Sequence, residues 1–534
     1  MLRSLLSALL LLTLCVEVRA DDDALKQILR TRIERMRDSG EHSLQVADTT
    51  IAEAVAQLYE RRNFSVVWRD DKRVERLFNE LVKLDADGLN PQDYQLDQLR
   101  QRYAQLRKTD NAQQRSDFEL LASNAYLRAL THLFRGKIDQ NTFAARVNFT
   151  LNDISGGDAF AVVNDALDNY TIAGVFELAR PQHPLYERIQ AALKQLRDIA
   201  AHGGWPQLDG TTVLKPGMHD PQIPLLRNRM QAAGDLAGGN EQGDLYDDAL
   251  AAAVKRFQRE QYIDDDGVIG AETRKALNIS VQTRIDQVRV NLERGRWLLR
   301  DVPRDFVLVD VAGYKASYFK NGRAIWTANV QVGRPYRSTP SFKSKISYIT
   351  FNPTWTVPPT ILAKDVLPQV RRDKGYLAKN HIRVLDNRGR ELDPNTIDWR
   401  HPGDILLRQD AGEHNSLGRV VIRFPNEFSI YMHDTPHQEL FDDDQRAFSS
   451  GCIRVERPRE LVELLMNDSD KWNRAAIDAT IANGETRNVD LARTVPILVA
   501  YWTVDVFNGE HVAFKPDIYQ RDPPILAALN QKLG

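Results

Sequence analysis

Cysteine is nearly missing from this chain: 534 residues contain two, Cys15 and Cys452. A disulfide framework is therefore excluded, and the core has to rest on apolar burial. Charge of one sign is also lacking. With 71 basic and 73 acidic residues, a net charge of −2 argues against a nucleic-acid binder, which carries a basic excess. A local patch for an anionic polymer stays open. Long apolar runs are lacking too. The stretch from Leu5 to Val16 falls short of the roughly 20 residues a membrane-spanning helix needs.

What is present begins with an export signal over residues 1–20: Arg3, the apolar centre, then Val18-Arg19-Ala20 as a small-residue cleavage pattern before Asp21. The alternatives are a retained anchor, or a lipoprotein at Leu12-Thr13-Leu14-Cys15, where a bulky leucine occupies a place usually held by a small residue. Cleavage removes Cys15 and leaves no membrane span. Cys452 is then the single thiol, a liability in an oxidising compartment unless it is buried or used.

The length predicts two to four domains. Residues 21–205 read as mainly helical, with Ile51, Val55 and Leu58, then Leu77, Leu81 and Leu84, at helical spacing. Asp87-Gly88-Leu89-Asn90-Pro91 is a turn, and Leu120 to Leu133 a buried helix. Tyr59, Phe64 and Trp68 fit core packing, with a ligand groove as the alternative. After the break His202-Gly203-Gly204-Trp205-Pro206, residues 206–280 predict a small helical unit with helices at Leu225–Met230 and Leu250–Phe257. Asp264, Asp265 and Asp266 read as a solvated turn, because the closing glutamate of a calcium loop is missing. Ile285, Val288, Leu292 and Leu299 stripe a linker helix over 281–302, with arginines on its other faces.

From residue 303 to 534 the period becomes that of strands. Phe306–Val309, Lys315–Phe319, Ile325–Val332, Lys345–Phe351, Arg419–Phe424, Phe428–His433 and Val495–Tyr501 predict a mainly β domain, with Asn321-Gly322 as a hairpin turn. Residues of about 360–415 interrupt the strands as an insertion, either a lid or an inert decoration. Pro458 suits the first turn of a helix that packs back on the sheet.

His433 ends a strand, and 19 residues later comes Cys452, within Ser449-Ser450-Gly451-Cys452-Ile453-Arg454. A thiol becomes a good nucleophile only when it loses its proton, so an imidazole base and nearby positive charge are what Cys452 needs. His433 fits the base and Arg454 the charge, and Arg454 could hold a carboxylate. The N–H groups of Gly451 and Cys452 could meet an oxyanion. A metal site of His433, His437 and Cys452 is disfavoured because Pro436 breaks the helical spacing. Asp442-Asp443-Asp444 reads as a solvated loop.

His433-Asp434-Thr435-Pro436, the 19-residue step and Ser449 to Arg454 resemble the signature of L,D-transpeptidases with the YkuD-type β fold; Thr339-Pro340 and Asn352-Pro353-Thr354-Trp355 match the same domain. Val254, Phe257-Gln258, Asp266-Gly267-Val268-Ile269-Gly270 and Thr273 resemble a three-helix peptidoglycan-binding module. One departure is Ser450, where many relatives carry histidine. The resemblance implies a multidomain α+β protein: helical scaffold, peptidoglycan-binding module, and a mainly β YkuD-type catalytic domain with a capping insertion. It further implies a periplasmic enzyme of Gram-negative type. Cys452 would take the acyl group of a tetrapeptide stem, release D-alanine, and pass the acyl group to a second stem as a 3→3 cross-link. His433 would be general base and acid, oriented by the carbonyl of Asp434, while Arg454, Ser449, Ser450 and Tyr431 line the donor site. Expected partners are peptidoglycan stems and glycan strands, with other wall-synthesis enzymes possible, and no cofactor or metal is called for. An L,D-carboxypeptidase, a lipoprotein-attaching transpeptidase and a non-catalytic wall-binding scaffold are the alternatives.

Overall fold

The structure is a computed structural model that describes residues 22–37, 49–108, 111–139, 147–148, 157–238, 243–373, 375–506 and 512–533. The expected export signal, residues 1–20, and Cys15 within it lie outside these residues. No helix among the described residues is long and apolar enough to cross a membrane.

The N-terminal region contains α1 (Thr49–Arg61), α2 (Asp71–Lys83), α3 (Ala112–Arg135) and α4 (Pro184–Ala201). Asp70 caps α2 by accepting from the Lys72 and Arg73 amides, which satisfies donors that the first helical turn leaves free. Tyr59 and Trp68 are fully buried, so they are core. Their polar edges need partners, and α3 supplies them. Glu119 accepts from Val67 N, Trp68 N and the Tyr59 hydroxyl, and Ser123 Oγ accepts from Trp68 Nε1. Phe64 is only partly buried, under the Arg30 guanidinium.

The next unit packs α5 (Ile223–Ala233), α6 (Asp248–Glu260) and α7 (Ala271–Leu277) around Leu226, Met230, Leu250, Val254, Phe257 and Ile269. Gln258 organises its turn: the side-chain oxygen accepts from Gly267 N at 2.7 Å, and the amide nitrogen reaches Asp266, Val268 O and Thr273. Asp265 pairs with Arg259 and Asp266 receives the Val268 amide, so these aspartates serve the turn itself.

Helix α8 (Val281–Leu298) is more than a stripe-faced linker, because Arg284, Arg294 and Arg296 are buried along with its apolar residues. Arg296 and Glu293, both without solvent exposure, pair directly; Glu293 also accepts from Ile138 N, and Arg296 donates to Asp87 O and Tyr186 Oη. On another face Gln287, Asn291 and Arg294 bind Thr503, Lys515 O and Asp522. The helix therefore ties the helical region to the β domain. Glu293→Ala strands the Arg296 charge, and is expected to destabilise the protein by about 3–5 kcal/mol, read as a lower midpoint in urea unfolding.

A two-residue strand from the helical region, β1 (Val147–Asn148), precedes the β domain in sequence yet joins its sheet. The domain itself supplies β2 (Phe306–Asp310), β3 (Lys315–Lys320), β4 (Arg323–Gly333) and β5 (Ser341–Phe351). β6 (Trp355–Thr356), β7 (Ile382–Leu385) and β8 (Leu406–Gln409) follow as a separate sheet, then β9 (Val420–Arg423), β10 (Met432–His433), β11 (Ala447–Ser449), β12 (Ile453–Val455) and β13 (Arg487–Ala500). The main sheet runs β1-β5-β13-β2-β3-β4-β12-β10-β9, and a further β5–β9 pairing closes it on itself. Every residue of β2 is buried because both faces are covered. Phe306 and Leu308 pack into the helical core, while Val307 and Val309 pack into the β domain's own core.

Strand β13 starts well before Val495, pairing Arg487 to Asp490 with β5 ahead of an irregularity. The expected strand Phe428–His433 shortens to its last two residues. Asn426 Oδ1 accepts from Phe428 N and Ile430 N, and Ser429 has φ 55°, so a side-chain-held turn replaces the first part of the ladder. The insertion has its own core of Val357, Val366, Val370, Leu377, Val384, Trp399 and Leu407. Asn415 Nδ2 fastens its base by donating to Pro353 O and Asp410 O. Pro458 does open a helix, α9 (Pro458–Met466), whose Leu461 and Leu465 return to the β core.

Candidate active site

Three neighbouring strands build the site. β10 pairs antiparallel with β9 (His433 opposite Val421) and parallel with β12 (His433 opposite Arg454). Continued to two residues before His433, the same registers set Arg423, Tyr431 and Cys452 in a row. The next row holds His433, Arg454 and, across β4, Gln331. Residues opposite each other, and those two apart on a strand, share a face. His433, Cys452, Arg454 and Tyr431 therefore stand on one face, while Met432, Ile453 and Ile422 pack into the core behind them. Diagonal neighbours in a sheet lie about 7–8 Å apart, within reach of an imidazole and a thiol.

His433 is 4% exposed and its Nδ1 lies 2.5 Å from the Asp434 carbonyl oxygen. A carbonyl only accepts, which puts the ring proton on Nδ1 and leaves Nε2 as the basic nitrogen. The Asp434 carboxylate is occupied by the amides of Arg419 and Thr435. Burial first, then the Arg454 charge, push the imidazolium down to about 3, against the Asp434 carbonyl that favours it.

Cys452 is the free thiol among the described residues and is half-buried. Burial raises its pKa above the usual value, while the Tyr431 N–H and O–H, Arg423 and Arg454 act in the opposite direction. The positive charge expected to activate the thiol is present, but desolvation outweighs it. The S–H points toward the Ser429 carbonyl, 3.8 Å away.

The loop that carries Cys452 is braced from within. Ser449 Oγ donates to Cys452 O at 2.6 Å and accepts from Gly451 N at 3.0 Å. This takes up the Gly451 N–H that was expected to face an oxyanion, and leaves Ser449, 4% exposed, as a loop brace instead of a wall of the donor site. Gly451 has φ 119°, a backbone conformation that side chains strain, and a Cβ there would press on Ile430 at 3.2 Å. Thr339 Oγ1 donates to Gly451 O at 2.8 Å and accepts from Gly333 N, and Tyr519 Oη donates to Gly333 O. Arg454 donates to Gln331 at 3.0 Å, with its Nε buried and unpartnered.

Ser450 is exposed and accepts from Arg337 Nη1 at 2.9 Å. Arg337 also pairs with Asp365 of the insertion, so the insertion is held against the Cys452 loop. Trp355, at the start of the insertion sheet, acts on the Tyr431 hydroxyl and favours its ionised form, against the burial that raises it. His437 lies outside this cluster, paired at the surface with Glu439. Arg423, Arg337 and Asp365 were missed by the sequence reading. The register that sets Arg423 beside Tyr431 could have signalled the first, while nothing local announces a pair 28 residues apart.

Comparison with known proteins agrees with this architecture. Residues 304–480 match the L,D-transpeptidase catalytic domain, residues 219–277 a peptidoglycan binding domain, and residues 53–193 a scaffold domain. Over residues 304–480 the chain therefore carries a domain similar to the L,D-transpeptidase catalytic domain. A Haemophilus influenzae protein named as an L,D-transpeptidase is 34% identical over 242 residues, covering 44% of this chain; the match spans about half of that relative, 49%. Among solved structures, an L,D-transpeptidase from Xylanimonas cellulosilytica is 13% identical, covering 55% of this chain and 99% of its own, at a TM-score of 0.18. The Ldtfm-avibactam carbamoyl enzyme is 10% identical, covering 60% and 99%, at 0.19. TM-scores this low carry no argument.

Proposed function

We propose that this protein is a periplasmic L,D-transpeptidase that forms 3→3 peptidoglycan cross-links through a thioester on Cys452. The observation that carries the reading is the placement of Cys452 and His433 on one sheet face, with Nδ1 of the imidazole fixed by the Asp434 carbonyl, inside the matched catalytic domain. For proton transfer the Cys452 side chain has to turn from Ser429 O toward Nε2 of His433. The base takes the proton, sulfur attacks the carbonyl of the third residue of a tetrapeptide stem, and the protonated imidazole then gives its proton to the departing D-alanine amine. An amine of a second stem resolves the thioester. With Gly451 N–H engaged by Ser449, the Cys452 N–H is the oxyanion donor of the loop. Arg454 lies beside the thiol as a guanidinium for a stem carboxylate, and the peptidoglycan binding domain keeps the polymer close.

The test incubates the protein with a tetrapeptide donor or a carbapenem and locates the adduct by intact mass and peptide mapping, followed by muropeptide analysis. An acyl adduct on Cys452 and 3→3 dimers are expected. Folded protein with no adduct sinks the reading. Tripeptide in place of dimers indicates a carboxypeptidase, and a lipoprotein-linked product indicates the attaching enzyme.

A further inference from the structure

The row that carries Cys452 has a third member with no role in the mechanism above. The registers of β10 with β9 and β12, continued one residue beyond Met432, bring Arg423, at the end of β9, to Tyr431 and Tyr431 to Cys452. Its guanidinium carbon sits 4.6 Å over the Tyr431 ring. No carboxylate among the described residues pairs with it, and its Nε is buried with no hydrogen-bond partner. An arginine placed in this way, half-buried and without a counter-ion, does little for stability. A cation on an aromatic face is attracted to the ring and polarises it, which makes a phenol a better hydrogen-bond donor.

The phenol has one acceptor that would gain. Tyr431 stands beside Cys452 on the same face of the sheet, its hydroxyl favours the thiolate, and Trp355 of the insertion acts on the same hydroxyl. Trp355 can only donate, so the phenol proton is directed to sulfur. We propose that Arg423 is a positioning residue: stacked on Tyr431, it holds and polarises the phenol hydroxyl that stabilises the Cys452 thiolate. This rests on Cys452 being the nucleophile, but not on which acceptor or polymer it serves.

Other charged groups face the thiol and its base. Arg454 acts directly on both, and Arg334 stands beside Arg454. The Arg337–Asp365 pair touches Ser450 and is internally neutralised. The Asp434 carboxylate is held by the Arg419 and Thr435 amides behind His433. Arg423 differs from all of them in its contact with the Tyr431 ring. The electrostatic direction agrees, since Arg423 favours both the thiolate and the neutral imidazole.

The experiment follows iodoacetamide alkylation of Cys452 against pH, so it needs no peptidoglycan substrate and stands even if the transpeptidase reading fails. In Arg423→Gln the ionisation of the thiol moves to higher pH, and alkylation at pH 7 falls about three- to tenfold. Arg423→Lys keeps the cation and recovers most of that rate. Tyr431→Phe keeps the ring but removes the hydroxyl. It shifts the profile in the same direction, and Arg423→Gln adds little in that background. If the Arg423→Gln profile overlays wild type with an unchanged melting temperature, the proposal is overturned. If Arg423→Gln does not fold, Tyr431→Phe decides, because a wild-type profile there leaves no hydroxyl for Arg423 to act through. Equal and additive shifts in the two single variants would show that Arg423 acts through its field alone, which also overturns it.

Discussion

Cys452→Ala is expected to form no acyl adduct and to give no cross-linked product above background. Cys452 is half-buried and the substitution keeps Cβ, so the fold should survive with a change of about 1 kcal/mol. His433→Gln should lower the acylation rate by about 10²–10⁴-fold, the usual contribution of a placed general base, while the thiol remains open to alkylation. The two residues act as a unit, so the double variant should be no worse than Cys452→Ala alone. Single-turnover acylation, followed by mass, checks all three. Adduct formation in Cys452→Ala would move the nucleophile elsewhere, and an unimpaired His433→Gln would remove the base.

The second large effect concerns pH. Burial raises the Cys452 thiol above its usual pKa and lowers His433 to about 3, so near neutral pH the resting pair is a thiol and a neutral imidazole. Alkylation of Cys452 should therefore climb about tenfold per pH unit from pH 6 through the ordinary thiol range, with no plateau at low pH. A thiolate–imidazolium pair would instead react at a constant rate from about pH 5 upward, so such a plateau contradicts the structure. Stability follows from the same linkage. Unfolded His433 takes up a proton below about 6.5 and the folded form does not until near 3, so stability is lost as pH falls across that window. Unfolded Cys452 ionises above about 8.5 while the folded thiol keeps its proton, so stability is also lost as pH rises beyond that value. Urea midpoints of wild type and of His433→Gln, taken at pH 4 and pH 7, isolate the acid limb.

Chemistry and order were legible along the chain wherever they are local. A hairpin needs Asn321-Gly322 in sequence, and both take positive φ, 53° and 75°. Helix periodicity at Leu77 and Leu81 marks a buried face because the period belongs to the helix itself. The Cys452 loop motif and the His433 step are local in the same sense. The strand Phe428–His433 was over-read because alternation alone cannot show that Asn426 captures the amides a ladder would use. The polar start of β13 was missed for the opposite reason: Arg487 to Asp490 look like a loop until β5 pairs with them.

The sequence by itself determined the Cys452 motif with a histidine 19 residues earlier, and the succession of helical, small-module and β regions, since composition, period and turn residues need no partner. Only the tertiary structure decided how the residues act. It placed Arg423 behind Tyr431, drew Gly451 N–H onto Ser449, latched Asp365 to Arg337, and sank the arginines of α8 into the junction between regions. Apart from the Gly451–Ser449 bond, which lies within one loop, each of these is a contact between separate strands or units, where register and burial set distance and dielectric. The same distance and dielectric settle whether a cysteine beside a histidine rests as a thiolate or, as here, as a buried thiol.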